Sequence, residues 1–154
     1  MRQIQKSIAD CIARAKFVAL SQDDMVSTAV TAMSEMGTDC ALVVEENEKL
    51  VGIFTERDFL NRVSAAKRDP SATRLGDVMT ADPETLHPHD CVSYAINRMA
   101  VGSYRNVPIV DDKQRPTSVL DVRLVMLHLI KVFAEVEKGG GATDDEEWID
   151  IGGG

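Results

Sequence analysis

The pattern Asp24-x-Val26-Ser27-x-Ala29-Val30-x-x-Met33 returns 66 residues later as Asp90-x-Val92-Ser93-x-Ala95-Ile96-x-x-Met99. Gly37 followed by Leu42-Val43-Val44 then returns as Gly102 followed by Val107-Pro108-Ile109, at a spacing of 65. An internal repeat of this length restricts the chain to two copies of one supersecondary unit. The change of spacing reads as one residue missing from the end of the second copy's helix. Two half-cores of about 60 residues are each marginal alone, so the copies are expected to pack against each other.

The unit reads as βαββα. Phe17–Leu20 is a brief strand, and Ser21-Gln22-Asp23-Asp24 offers polar N-cap candidates. Met25–Met36 is a helix with Met25, Ala29, Met33 and Met36 on one face, closed by Gly37. Ala41–Val44 and Leu50–Phe54 form a hairpin around Glu45-Glu46-Asn47-Glu48. Thr55 to about Ala66 is the second helix. Before the unit, Ile4, Ile8, Ile12 and Ala15 have the spacing of an amphipathic helix. After the second copy, Leu124–Val136 is a helix apolar on most faces, which must be covered by the N-terminal helix or by another subunit.

The expected organisation is an N-terminal helix (1–16), repeat 1 (17–67), a linker (68–76), repeat 2 (77–137) and a tail (138–154). The tail, glycine-rich and acidic, is expected to be disordered. Its Trp148-Ile149-Asp150-Ile151 patch is either a docking peptide or solvated chain. Residues 139–154 carry −5 of the net charge of −8, leaving an ordinary −3 elsewhere and no basic footprint for nucleic acid. No apolar run approaches the roughly 18 residues of a membrane span, and no secretion signal precedes the repeats. Three widely spaced cysteines, Cys11, Cys40 and Cys91, suit a reducing cytoplasm.

The repeated V-x-x-A-(V/I)-x-x-M helices, the Leu50-Val51-Gly52-Ile53-Phe54-Thr55-x-x-Asp58 segment and Asp77-Val78-Met79-Thr80 between the copies resemble a pair of CBS domains, the repeats named after cystathionine β-synthase. The resemblance covers about residues 12–136. It implies an α/β (α+β) module of two βαββα repeats in a pseudo-twofold pair, commonly a homodimer. Such modules carry no catalysis, bind adenosine-containing ligands and regulate an attached or partnered protein. The chain is accordingly expected to act on an unknown partner in trans, or to be part of something larger. No tightly bound cofactor is expected, only AMP, ADP or ATP as ligand.

By the same resemblance, Thr55 and Asp58 would contact nucleotide, with Asp58 accepting from the ribose hydroxyls. An ionised carboxylate only accepts hydrogen bonds, so it suits a diol and repels phosphate. Phosphate would favour the helix N-terminus opened by Thr55. Arg57 would add a charged contact, Ile53 and Ala41 would line an adenine slot, and Gly52 marks a close approach to the strand backbone. Thr55-x-x-Asp58 also reads as a variant capping box, and the two roles are compatible. In the second copy, at a spacing of 65, Thr117, Leu120 and Arg123 take the places of Gly52, Thr55 and Asp58. Helix capping there would pass to Ser118-x-x-Asp121, while Arg105 and Arg123 would supply positive charge. At most one well-formed cleft per chain is expected. The alternative is a structural or dimerisation module with a vestigial cleft. His87-Pro88-His89 has no metal-ligand spacing beside it, and no nucleophile signature is present.

Overall fold

The computed structural model describes residues 6–11 and 16–139. The elements are α1 (Ile8–Cys11), β1 (Val18–Ser21), α2 (Val26–Met36), β2 (Cys40–Val44), β3 (Leu50–Thr55) and α3 (Glu56–Asp58), which runs on as a π-helical stretch, Phe59–Ser64. A 3-10 turn at Leu75–Asp77 and β4 (Thr80–Ala81) follow, then α4 (Val92–Gly102), β5 (Asn106–Val110), β6 (Pro116–Asp121) and α5 (Val122–Gly139). The expected N-terminal helix is described only at Ile8–Cys11. The tail lies outside the described residues, except that Lys138 and Gly139 still belong to α5.

One sheet has the order β1-β2-β3-β4, with β1 parallel to β2 and the other pairs antiparallel; β5 and β6 form a second, two-stranded sheet. The two hairpins pair residue for residue in the same register, 66 positions apart. Cys40 pairs with Thr55, and Asn106 with Asp121; both hairpins shift register at the same place, Val43/Val44 and Ile109/Val110. The repeat spacing is therefore 66 throughout, and no residue is missing from the second copy. The left-handed residue closing α2 is Gly37 (φ 67), and its counterpart closing α4 is Ser103 (φ 57), not Gly102. Gly102 has a different purpose: a Cβ there would lie 2.3 Å from the ring of Tyr104. Two glycines with unrelated roles stand one residue out of register, which produced the apparent gap.

The polar N-cap expected before α2 is absent; its N-cap is Met25, and Asp24 instead accepts from the Ser21 N–H at 2.8 Å. Val26, Ala29 and Met33 form the buried stripe, while Met36 faces solvent.

Two cores serve the two repeats, and each borrows from the other. Leu75 and Val78, expected in the linker and at the opening of repeat 2, are buried with Val26, Ala29, Val43 and Phe54 in the first core. Ile8 is buried with Val92, Ala95, Ile109 and Leu120 in the second. The contacts match in kind: the Leu75 N–H donates to the Asp24 carbonyl at 2.9 Å, and the Ile8 N–H to the Asp90 carbonyl at 2.8 Å. Each repeat's leading segment thus docks on its sibling, the reciprocity that a pseudo-twofold pair requires. A third cluster joins the sheets: Leu42, Leu50, Ile53 and Cys40 meet Val110 and Val119. Burial there pushes the Cys40 thiol up to about 12, with Asp39 adding to the shift.

Candidate functional site

The site is built from the junction of β3 with α3. β3 ends when Thr55 takes an extended conformation and caps the helix: its Oγ1 accepts from the Asp58 N–H at 3.3 Å. Asp58 closes the box, its Oδ2 accepting from the Thr55 N–H at 3.0 Å and from the Thr55 hydroxyl at 3.1 Å. Its other oxygen accepts from the Thr80 hydroxyl at 3.2 Å and lies 3.6 Å from Arg62 Nε. Asp58 is buried. The capping role read from the sequence is therefore realised in full, and most of the carboxylate's acceptor capacity is in use.

In front of this junction lies a cleft of ≈ 610 Å³ between the repeats, within the range of small-ligand sites. One wall is Ile53, Thr55, Arg57 and Asp58 with Leu60 and Arg62 of the helical run. The opposite wall is the end of α4 and the start of β5, Ser103 to Asn106, with Pro108. Thr80 and Asp82 to Glu84 form the floor, and Asp39 stands at the seam. Cross-repeat bonds hold the walls in place: Arg57 Nη1 donates to the Ser103 carbonyl at 3.4 Å, and Asn106 Nδ2 to Asp39 Oδ1 at 3.1 Å. Arg62 donates to the carbonyls of Val78 and Met79, tying the leading segment of repeat 2 to the helix.

Four of the six residues singled out from the sequence meet here: Ile53, Thr55, Arg57 and Asp58. Ala41 does not. It is fully buried in the first core, because alternate residues of β2 point to opposite faces and Ala41 shares the Val43 face. Gly52 also lies away from the cleft. What approaches its backbone is protein: a Cβ at Gly52 would sit 2.3 Å from Met79 Sδ and 3.2 Å from the Thr80 carbonyl. Two of the first-turn N–H groups expected to meet phosphate are already engaged. The Glu56 N–H donates to the Asp39 carbonyl at 3.1 Å, and the Asp58 N–H is capped by Thr55.

In the true register, Asp121 stands at the position of Thr55 and Leu124 at that of Asp58. Asp121 is itself the cap of α5, Oδ1 accepting from the Leu124 N–H at 2.7 Å, so the helix does not start earlier at Ser118. Arg105 lines the first cleft. The second copy still lacks a carboxylate where Asp58 stands in the first.

Sequence reasoning missed Thr80, Arg62 and Tyr104. The signal for Thr80 was present in Asp77-Val78-Met79-Thr80, but pairing of β4 with β3 assigns that segment to the first repeat's sheet. Arg62 follows Asp58 at i+4, the spacing of a helical ion pair. Among the described residues, no group of three or more His, Cys, Asp or Glu is arranged to hold a metal ion. None of their helices is long and apolar enough to cross a membrane.

Compared with known families, the sequence matches the CBS domain twice, over residues 8–65 and 75–131. The chain belongs to the CBS-domain family. This CBS pair is 36% identical over 107 residues to the CBS domain-containing protein CBSCBSPB1 of Arabidopsis thaliana, an alignment covering 70% of this chain and 20% of that protein. It spans between 20% and 46% of the length of the first curated relatives it matches. Among solved structures, the CBS domain protein PAE2072 from Pyrobaculum aerophilum, complexed with AMP, shares the fold with a TM-score of 0.73 and 19% identity, covering 84% of this chain and 99% of that one. The CBS domain pair of MJ0100, in complex with 5′-methylthioadenosine and S-adenosyl-L-methionine, has a TM-score of 0.70 and 20% identity, covering 84% and 97%. At these identities the likeness establishes the fold.

Proposed function

We propose that this CBS pair is a non-catalytic regulatory module that senses an adenosine-containing ligand in the first repeat's cleft and relays its binding to a partner protein. The observation that carries this reading is the cleft's construction from both repeats, with Asp58 and Arg57 on one wall and Tyr104 to Asn106 on the other. A ligand seated there touches two bodies at once. It can therefore bias their packing through its differential affinity for the two arrangements. The AMP, 5′-methylthioadenosine and S-adenosyl-L-methionine held by fold relatives support the adenosine class. The module works in a reducing aqueous compartment, the cytoplasm, and pairs with a second copy through the exposed face of α5, where Met126, Ile130 and Phe133 stand in line.

One observation favours the alternative of an assembly module with a vestigial cleft: the Asp58 carboxylate is already engaged by Thr55, Thr80 and Arg62. Titration with AMP separates the two. Saturable binding, with about 2.7 kcal/mol of added stability at a hundredfold excess over Kd, supports the sensor. Asp58→Asn retains an acceptor for the Thr55 N–H, so it is expected to fold while losing at least tenfold in AMP affinity. Unchanged affinity in this variant would remove Asp58 from the binding role, and no binding of AMP, adenosine or S-adenosylmethionine to the wild-type protein would favour assembly.

A further inference from the structure

We propose that the cleft selects a nucleoside whose 5′ substituent is neutral or cationic, and disfavours nucleoside polyphosphates. This rests on the nucleoside reading above and narrows it. Three features of the site lead there. The first is the state of the helix N-terminus. A phosphate-binding helix end offers unpaired N–H groups, yet here Glu56 N–H is spent on the Asp39 carbonyl and Asp58 N–H on Thr55. The capping box also brings the Asp58 carboxylate to the first turn, so the positive end of the helix already faces an anion.

The second is the balance of ionic groups. Five carboxylates line the cleft, Asp39, Glu56, Asp58, Asp82 and Glu84, against three guanidiniums, Arg57, Arg62 and Arg105. Arg62 is committed to Asp58 and to the carbonyls of Val78 and Met79. Only Arg57 and Arg105 are then left to meet added negative charge, and Arg57 also reaches the Ser103 carbonyl. Glu84 is held by Arg98, while Glu56 and Asp82 are exposed and stand in no ion pair with a described residue. A concave site lined by an excess of one sign focuses that sign's field on the ligand.

The third is how Asp82 is held. It has φ 46, a left-handed conformation uncommon for a residue other than glycine, and its N–H donates to the Val51 carbonyl at 3.0 Å. The floor of the cleft thus presents its carboxylate from a fixed turn. A polyphosphate entering between Glu56 and Asp82 meets like charge with two arginines in compensation. A 5′ sulfonium, ammonium or thioether meets attraction or none.

The test is calorimetric titration of the full chain with adenosine, S-adenosylmethionine and ATP, without divalent cations, at low and high salt. Adenosine and S-adenosylmethionine are expected to bind at least tenfold more tightly than ATP at low salt. Salt is expected to narrow that gap, because screening relieves repulsion. The double variant Glu56→Gln, Asp82→Asn is expected to narrow it at least threefold; asparagine accepts the left-handed turn, and both sites are exposed. ATP binding as tightly as adenosine, or weakening with salt as at a built phosphate site, would overturn the inference while leaving nucleoside binding intact. Binding by none of the three would overturn the nucleoside reading itself, and the inference with it.

Discussion

Gly52 illustrates how a residue's meaning depends on what arrives beside it. Glycine within a strand predicts a close approach, and the approach is real; the neighbour is Met79, delivered by the leading segment of repeat 2. Gly52→Ala is accordingly expected to cost about 1–3 kcal/mol by overpacking. Met79→Ala in the same chain should recover part of that loss, giving a coupling energy above about 0.5 kcal/mol in a double-mutant cycle of denaturant unfolding. Additive losses would mean that Met79 is not what excludes the Cβ. At the same scale, Thr55 and Asp58 were legible because a capping box is local, depending only on residues three apart. Thr80 and Tyr104 were not, since only the folded sheet and the opposing repeat bring them to the cleft.

Elements carry a second lesson, in the caps of α3 and α5. Thr55 and Asp121 do the same work with different chemistry, a hydroxyl in one repeat and a carboxylate in the other. A comparison by residue type misses that equivalence, and the chance alignment of Gly37 with Gly102 then pulled the second copy one residue out of register. Asp121→Ala should destabilise the fold by about 1 kcal/mol, as loss of an N-cap does, whereas Ser118→Ala, which removes only a 3.5 Å contact to the Val119 carbonyl, should cost less. The reverse order would restore the earlier helix start. The β5–β6 turn gives a pH-dependent counterpart. Asp111 accepts from the Arg115 N–H, pairs with the Arg115 guanidinium and accepts from the Lys113 N–H, which together hold its carboxyl below the ordinary 3.8. A lowered folded-state value means that its stabilisation is complete above about pH 4 and disappears as pH falls through that lowered value. Asp111→Asn should therefore be less stable than wild type at pH 6 and should approach it in stability as pH falls through that lowered value. A difference independent of pH would assign the effect to turn geometry instead of charge.

For the whole molecule, two cores that each contain the other repeat's leading segment cannot melt independently. Leu75, numbered between the repeats, is fully buried in the first core, and Ile8 is fully buried in the second. Leu75→Ala should cost about 2–5 kcal/mol and lower amide protection in both repeats together, as measured by hydrogen exchange. Loss confined to α2 and β1–β3 would contradict the reciprocal arrangement. The doubled βαββα order was readable from hydrophobic spacing and turn residues, because each copy's pattern is local. The exchange of leading segments was not, because nothing in a linear repeat says which copy a segment docks on.

The proposed ligand site is a single cleft per chain, the one facing Asp58, because Leu124 replaces that carboxylate in the second copy. Calorimetric stoichiometry with adenosine tests it most directly. One site per chain, with at least tenfold weaker binding in Asp58→Asn, is the predicted result. Two equivalent sites per chain would contradict it, since the second would bind without a carboxylate at the position of Asp58.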